Sequence, residues 1–285
     1  MRSMVWTATK RWHLFPHLAT NSLSKRELSS NTNAAATSLL LSQLAQLDTA
    51  SLCDADKSLL SSSESLPNYT PLQLLQGFQP INSQAPILVG TAYTVQCTVP
   101  NDFLAVLEGL TKAPKHSVLV VQTLQSTKAV AGELFAAAAT QQGLAGIIVD
   151  GPMRDAQAIM NASKKKNEND EDENDNESFI RCYATSITPY SGTTQHVGKY
   201  NVPVDCGGVT VSPGDVLVGD NDGILVAPWA TFERILDTAQ NIQAAEATIL
   251  QKMTKDGQSL LSLTNFQEHV QAIREGRQSN LQFKV

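Results

Sequence analysis

The chain has 285 residues, enough for one large domain or two small ones. It is 42% hydrophobic and 17% charged, the make-up of an ordinary water-soluble globular protein, and its net charge of -6 argues against a nucleic-acid-binding surface, which is normally basic. No apolar run approaches the roughly 18 residues that a membrane span needs, so neither nucleic acid nor membrane is expected as a partner.

The first 34 residues stand apart. Arg2, Lys10, Arg11, Lys25 and Arg26 precede the first acid, Glu27, and Trp6, Trp12, Leu14 and Phe15 supply an apolar side among serines and threonines. That is the composition of a transit peptide into the mitochondrial matrix or another organelle, the alternative being a disordered basic tail on a cytoplasmic protein. Residues 35–255 are expected to form the folded domain. Ser38 to Leu47 is Leu-rich at helical spacing, and Thr49 or Ser51 is a candidate cap for a helix through Leu60. A polar, Ser-rich and Pro-containing stretch follows, from Ser61 to Pro86. Strands and helices then alternate: a strand from Ile87 to Cys97, a helix from Asp102 to Leu110, a strand from Val118 to Val121, and an Ala-rich helix from Glu133 that Gly143 stops. A third strand, Ile147 to Val149, ends at the turn residues Asp150, Gly151 and Pro152, and a helix runs on to about Asn161. The alternation predicts an α/β sheet with crossover helices.

Residues 163–177, "SKKKNENDEDENDNE", contain three lysines, then seven acids, and no apolar residue. Such a segment cannot bury surface to offset its ordering entropy and reads as a disordered acidic insertion. A strand from Phe179 to Ala184 follows, then short strands with hairpin-type turns at Pro213-Gly214-Asp215 and Asn221-Asp222-Gly223. From Trp229 the chain is expected to be helical, with a break at Gly257, and residues 256–285 form a C-terminal helix and tail.

The four cysteines, at 53, 97, 182 and 206, form no CxxC pair and read as reduced thiols, not as a zinc site or disulfide framework. The five histidines are dispersed. No phosphate loop, GxGxxG, GxSxG or HExxH motif is present. Two features carry chemistry. Gly132 precedes a helix whose first turn holds Glu133, and the N–H groups of that turn can bind a carboxylate or phosphate; in the plainer alternative Glu133 only complements the helix dipole. Twenty residues separate Glu133 from Arg154-Asp155, at the end of the next strand. Asp155 could be an N-cap and Arg154 a surface cation. Functionally, Asp155 is a hard oxygen ligand for Mg²⁺ or Mn²⁺, and Arg154 offers planar donors to a carboxylate or an enolate. Both helices follow neighbouring strands, so both N-termini can open into one crevice.

The acid-x20-Arg-Asp pattern in "GELFAAAATQQGLAGIIVDGPMRD" resembles the signature of the RraA-like family, which joins 4-hydroxy-4-methyl-2-oxoglutarate aldolases, also oxaloacetate decarboxylases, with regulators of ribonuclease E activity. "LDTASLCDAD", "LVGTAYTVQCTVPND" and "NVPVDCGGVTVSPGDVLVGDNDGILVAP" resemble other stretches of the same family. The resemblance implies an α/β fold, a ββα-type sandwich like the swivelling phosphohistidine domains, assembled as a homotrimer or dimer of trimers. It further implies that Gly132, Glu133, Leu134 and Phe135 hold a small 2-keto acid together with Arg154, that Arg154 and Glu133 are catalytic, and that Asp155 anchors a divalent cation. The regulator branch typically lacks the acid and the metal-binding aspartate, both kept in this chain, which favours a metal-dependent lyase over a non-catalytic partner of an RNA-processing enzyme. Ala158, where many of the aldolases have glycine, is the departure closest to the motif.

Overall fold

The computed structural model describes residues 37–61, 66–164 and 179–284. The expected N-terminal extension lies outside them, as do residues 165–177 of the acidic insertion. The chain divides after Leu39, and the main unit is Leu40–Val285.

The core strands are β1 (Gln73–Leu74), β2 (Gln79–Pro80), β3 (Leu88–Gln96), β4 (Ser117–Gln122), β5 (Gly146–Met153), β6 (Arg181–Ile187), β7 (Lys199–Tyr200), β8 (Val204–Cys206), β9 (Val209–Val211), β10 (Val216–Gly219) and β11 (Ile224–Ala227). The helices are α1 (Thr49–Leu60), α2 (Leu104–Lys112), α3 (Glu133–Gln141), α4 (Ala156–Lys164), α5 (Trp229–Lys255) and α6 (Phe266–Arg274). Nine strands form one mixed sheet in the order β1-β11-β10-β3-β4-β5-β6-β2, with β7 on the end of β3. Strands β3 to β6 are parallel, and β10, β11, β1 and β2 join antiparallel. This is the expected α/β class.

β4 reads SVLVVQ, with an unbroken apolar run from Val118 to Val121, because both of its faces are covered. Leu119 and Val121 pack with Ala105, Val106 and Leu110 of α2, Ala136 and Ala139 of α3, and Ile159 of α4. Val118 and Val120 point the other way, onto Val204, Cys206 and Val211 of the β8–β9 hairpin. A third cluster packs α1 and α5 over the antiparallel end, with Leu52, Phe232 and Ile235 against Val216, Val218 and Leu225.

Several sequence expectations change. α1 is capped by Asp48, whose carboxylate accepts from the Ser51 N–H at 2.7 Å; Thr49 instead binds Asp220 of the β10–β11 turn through its N–H and hydroxyl, each at 2.8 Å. The polar stretch from Ser61 to Pro86 holds β1 and β2. β5 does not stop at Val149: it stays paired with β6 to Met153, across an irregularity between Val149 and Pro152. Asn221-Asp222-Gly223 does close a hairpin, β10 to β11. Pro213-Gly214-Asp215 does not, since β9 pairs with β8, and that hairpin turns at Gly207 and Gly208, both at positive φ. Ser163 and Lys164 end α4 and are not part of the insertion. Gly143 and Gly257 follow the C-terminal ends of α3 and α5 at φ +71° and +66°, the left-handed geometry glycine adopts without a Cβ penalty.

One buried amide holds the far edge. Asn82, about 1% exposed, donates to the Ile180 carbonyl at 2.7 Å and to Ser163 Oγ at 2.8 Å, and accepts from the Cys182 N–H at 2.8 Å. It ties the start of β6 to the end of α4. Asn82→Ala is expected to destabilise the fold by about 1–3 kcal/mol for each buried backbone partner left unpaired, read as a lower denaturation midpoint in urea with an unchanged slope.

Candidate active site

Parallel pairing builds the site. β4 and β5 run side by side in register from Val118↔Gly146 to Gln122↔Asp150, so the segments that leave them emerge at the same edge of the sheet. From β4 the chain travels through residues 123–132 to α3; from β5 it passes through Arg154 and Asp155 to α4. The two segments are stitched together. The Val130 N–H donates to the Pro152 carbonyl at 3.2 Å and the Arg154 N–H to the Ala131 carbonyl at 3.1 Å. The N-termini of α3 and α4 therefore stand next to each other, as their spacing predicts.

Asp155 occupies the last position before α4, and its carbonyl accepts from the N–H groups of Ala158 and Ile159, both at 3.0 Å. Its side chain turns away from its own helix. Oδ2 lies 3.4 Å from the Glu133 N–H at the start of α3 and 3.3 Å from Arg154 Nε. The Asp155 backbone is left-handed, with φ +60°, a conformation that Asp and Asn adopt more readily than other side-chain-bearing residues. Gly132 caps α3 in extended geometry, and its requirement is space. A Cβ there would sit 2.6 Å from Asp155 Oδ2 and 2.9 Å from Arg154 Cγ. The missing side chain lets the Arg-Asp pair lie against the helix start.

Gly132, Leu134, Phe135, Arg154 and Asp155 line one open crevice of about 310 Å³, open solvent included, with Phe103 and Ser191 on its other walls. Phe103 and Phe135 meet edge to face, their ring centroids 5.8 Å apart at 84°, a favoured aromatic geometry. Leu134 is exposed at the rim. Glu133 takes part through its N–H; its side chain is exposed and lies outside the lining residues. Ala158 is also outside the lining.

Sequence reasoning missed the carboxylate that lies behind one wall. Asp102 is buried, 2% exposed, and accepts four donors: the Leu104 N–H at 3.1 Å on Oδ1, and on Oδ2 the Gln195 N–H at 2.7 Å, the Thr193 hydroxyl at 2.8 Å and His196 Nδ1 at 3.4 Å. His196 is exposed at the surface, and its ring faces this buried carboxylate. Asp102 precedes α2 and the partners of its Oδ2 come some 90 residues later, so that contact left no local signal. Burial disfavours the charged carboxylate, but these donors together outweigh it and lower its pKa to about 2.

Among the described residues no three His, Cys, Asp or Glu side chains come together as a metal cage. The crevice offers one ionisable oxygen donor, the Asp155 carboxylate, whose side chain is 39% exposed. That set does not fit a structural zinc ion, which takes four protein ligands. It fits Mg²⁺ or Mn²⁺, which keep several waters and accept one or two carboxylates, the remainder coming from substrate oxygens.

The crevice lies at the carboxyl ends of parallel strands and brings together a cation, an acid and a helix N-terminus, an arrangement chemically able to hold a small anion. Comparison with known proteins assigns the chain. The family described as RraA-like, Aldolase/RraA, matches residues 49–165 and 173–226, more than half of the sequence, and the chain belongs to that family. A protein of Halalkalibacterium halodurans, provisionally named 4-hydroxy-4-methyl-2-oxoglutarate aldolase, is 36% identical over 172 residues, which are 60% of this chain and 73% of the relative. An uncharacterised protein of Methanocaldococcus jannaschii is 29% identical over 196 residues, 68% of this chain and 85% of the other. The crystal structure of Streptomyces coelicolor RraAS2, an unusual member of the RNase ES inhibitor RraA protein family, superposes with a TM-score of 0.56 at 25% identity, covering 73% of this chain and 94% of that one.

Two outcomes follow from this geometry. Gly132→Ala is expected to cost about 1–3 kcal/mol of stability as the new methyl pushes against Arg154 and Asp155, seen as a lower thermal midpoint with native circular dichroism retained. Because the folded Asp102 pKa is depressed from 3.8 to about 2, its contribution is intact above pH 4 and fades as pH falls from about 4 to 2. Asp102→Asn should flatten that part of the acid-unfolding curve and leave the neutral-pH slope unchanged.

Proposed function

We propose that the crevice is the active site of a divalent-metal-dependent lyase. It cleaves the C3–C4 bond of 2-keto acids of the 4-hydroxy-4-methyl-2-oxoglutarate type by retro-aldol reaction, decarboxylates oxaloacetate to pyruvate, or does both. The observation that carries this reading is the convergence of Arg154, Asp155 and the N-terminus of α3 on one crevice. The relatives named as aldolases give it independent support.

In this reading Asp155 holds Mg²⁺ or Mn²⁺, which supplies Lewis-acid polarisation of the keto acid when bound. Arg154 meets the substrate carboxylate or the enolate oxygen through the guanidinium nitrogens beyond Nε, which already faces Asp155. The first turn of α3 adds backbone donors and the positive end of its dipole. When the C3–C4 bond breaks, its electron pair stays on C3 as the pyruvate enolate. C4 departs as CO₂, or as a ketone or aldehyde after its hydroxyl loses a proton. A proton delivered to C3 then completes pyruvate. Arg154 favours this path because it faces charge that grows in the transition state. Glu133, exposed at the same helix start, serves as acid or base through an intervening water. Phe103 and Phe135 close the apolar side against bulk solvent. The assembly proposed is a homotrimer or dimer of trimers, to be checked by sedimentation.

Purified protein is expected to release pyruvate from oxaloacetate or 4-hydroxy-4-methyl-2-oxoglutarate in the presence of Mg²⁺ or Mn²⁺ and to stop on addition of EDTA. Absence of metal-dependent turnover with both would leave the non-catalytic interaction role in possession of the fold. Asp155→Asn suits the left-handed backbone equally well, so folding should persist while metal affinity and turnover fall together. Arg154→Lys should keep metal affinity but lower kcat/KM about a hundredfold, roughly 3 kcal/mol, because an ammonium cannot reproduce the guanidinium fork. An active Asp155→Asn enzyme would refute the assignment of the pair.

A further inference from the structure

We propose that Asp102 is a positioning residue for the crevice, acting on Arg154 through the segment 190–195 without touching the ligand itself. The contacts form an unbroken series. Asp102 Oδ2 holds Thr193 and Gln195 by side chain and backbone, and the Thr193 backbone is locked from both sides, donating to the Asn101 carbonyl at 2.8 Å and accepting from the Phe103 N–H at 2.8 Å. Two residues earlier the segment passes Ala129. The Ala129 N–H donates to the Tyr190 carbonyl at 2.8 Å and the Gly192 N–H donates to the Ala129 carbonyl at 3.1 Å. Ala129 is continuous with Val130 and Ala131, which bond Pro152 and Arg154. Asn101 ties the same region from the other side, its side-chain oxygen accepting the N–H groups of Thr127 at 2.8 Å and Lys128 at 2.9 Å. One buried carboxylate thus sets where Ser191, Phe103, Ala129 and, at the end of the series, Arg154 stand, and these residues are walls of the crevice.

The arrangement is tight enough to be broken at a second point. A Cβ on Gly192 would lie 2.5 Å from the Asn101 carbonyl oxygen, so Gly192→Ala displaces the segment while leaving Asp102 untouched. A loosened segment means that only a fraction of molecules have a formed crevice, and apparent affinity falls by that fraction while saturating ligand restores the formed state. A residue that merely supports the fold would lower stability and leave the kinetic constants of the folded molecules unchanged.

The test uses the full chain with Asp102→Asn and, separately, Gly192→Ala. Amide hydrogen exchange at pH 7 is expected to rise about tenfold or more at Thr193 and Gln195 in Asp102→Asn and at Gly192 and Thr193 in Gly192→Ala, and in both to spread to Ala129, Val130 and Arg154, with β4 unchanged. Exchange that rises only within residues 190–196 overturns the proposal. The kinetic arm rests on the lyase reading: with oxaloacetate and Mg²⁺, KM should rise about tenfold in both variants with kcat within about twofold. An unchanged KM with a loosened segment also overturns it. If the wild-type protein turns over no keto acid, the lyase reading fails and the exchange pattern alone decides the role of Asp102. If Asp102→Asn does not fold, Gly192→Ala carries both measurements.

Discussion

The parallel alignment of β4 with β5 is the constraint from which the rest follows. Two antiparallel strands would send their connections to opposite ends of the sheet. Two parallel neighbours send them to the same end, and the helices that return from that end begin side by side. The macrodipoles and unpaired N–H groups of α3 and α4 then add at one place. This requires both faces of the strands to be covered, which the helices α2 to α4 do on one side and the β8–β9 hairpin on the other. The apolar continuity of β4 and β5 is thus the sequence-level cause of a crevice lined by charges.

Two arginines show how differently one side chain can be used. Arg181 is buried, 4% exposed, and spends its guanidinium on the Pro86 and Ala85 carbonyls and on Asn221 Oδ1, fastening the start of β6 to the loop before β3 and to the β10–β11 turn. Its hydrogen bonds are satisfied and leave nothing for a ligand. Arg154 is 40% exposed and pairs by Nε alone with a carboxylate equally exposed. An ion pair in that setting adds little to stability. It lies against Gly132 at the mouth of α3, where its guanidinium faces the crevice and not the core.

Much of this was legible in the chain itself. The β-branched runs of β3, β4 and β5 and the Ala-rich α3 announce an alternating α/β sheet, and the Arg-Asp pair was found by its position at a strand end. What escaped was non-local or too short to carry a period. β1 and β2 are two residues each, and their place in the sheet comes from partners, β11 and β6, more than 100 residues away. The turn residues of "DGPM" suggested an end to β5, yet the strand continues because β6 still pairs with it beyond the irregularity at Pro152. Asp102 looked like the start of a helix, which it is, with Leu104 bonded to Oδ1. Only the fold brings Thr193, Gln195 and His196 to its other oxygen.

The left-handed backbone at residue 155 also limits how this scaffold can drift. A residue held at φ +60° accepts Asp, Asn or Gly at small cost and resists β-branched and bulky replacements. Two of the three tolerated residues lack the carboxylate. The changes easiest on the backbone at this position are therefore those that erase the negative charge at the crevice and leave a well-folded protein behind. Under the lyase proposal, a lineage built on this turn would lose its chemistry before its architecture, and the copies left behind would keep a surface on which another role could be selected.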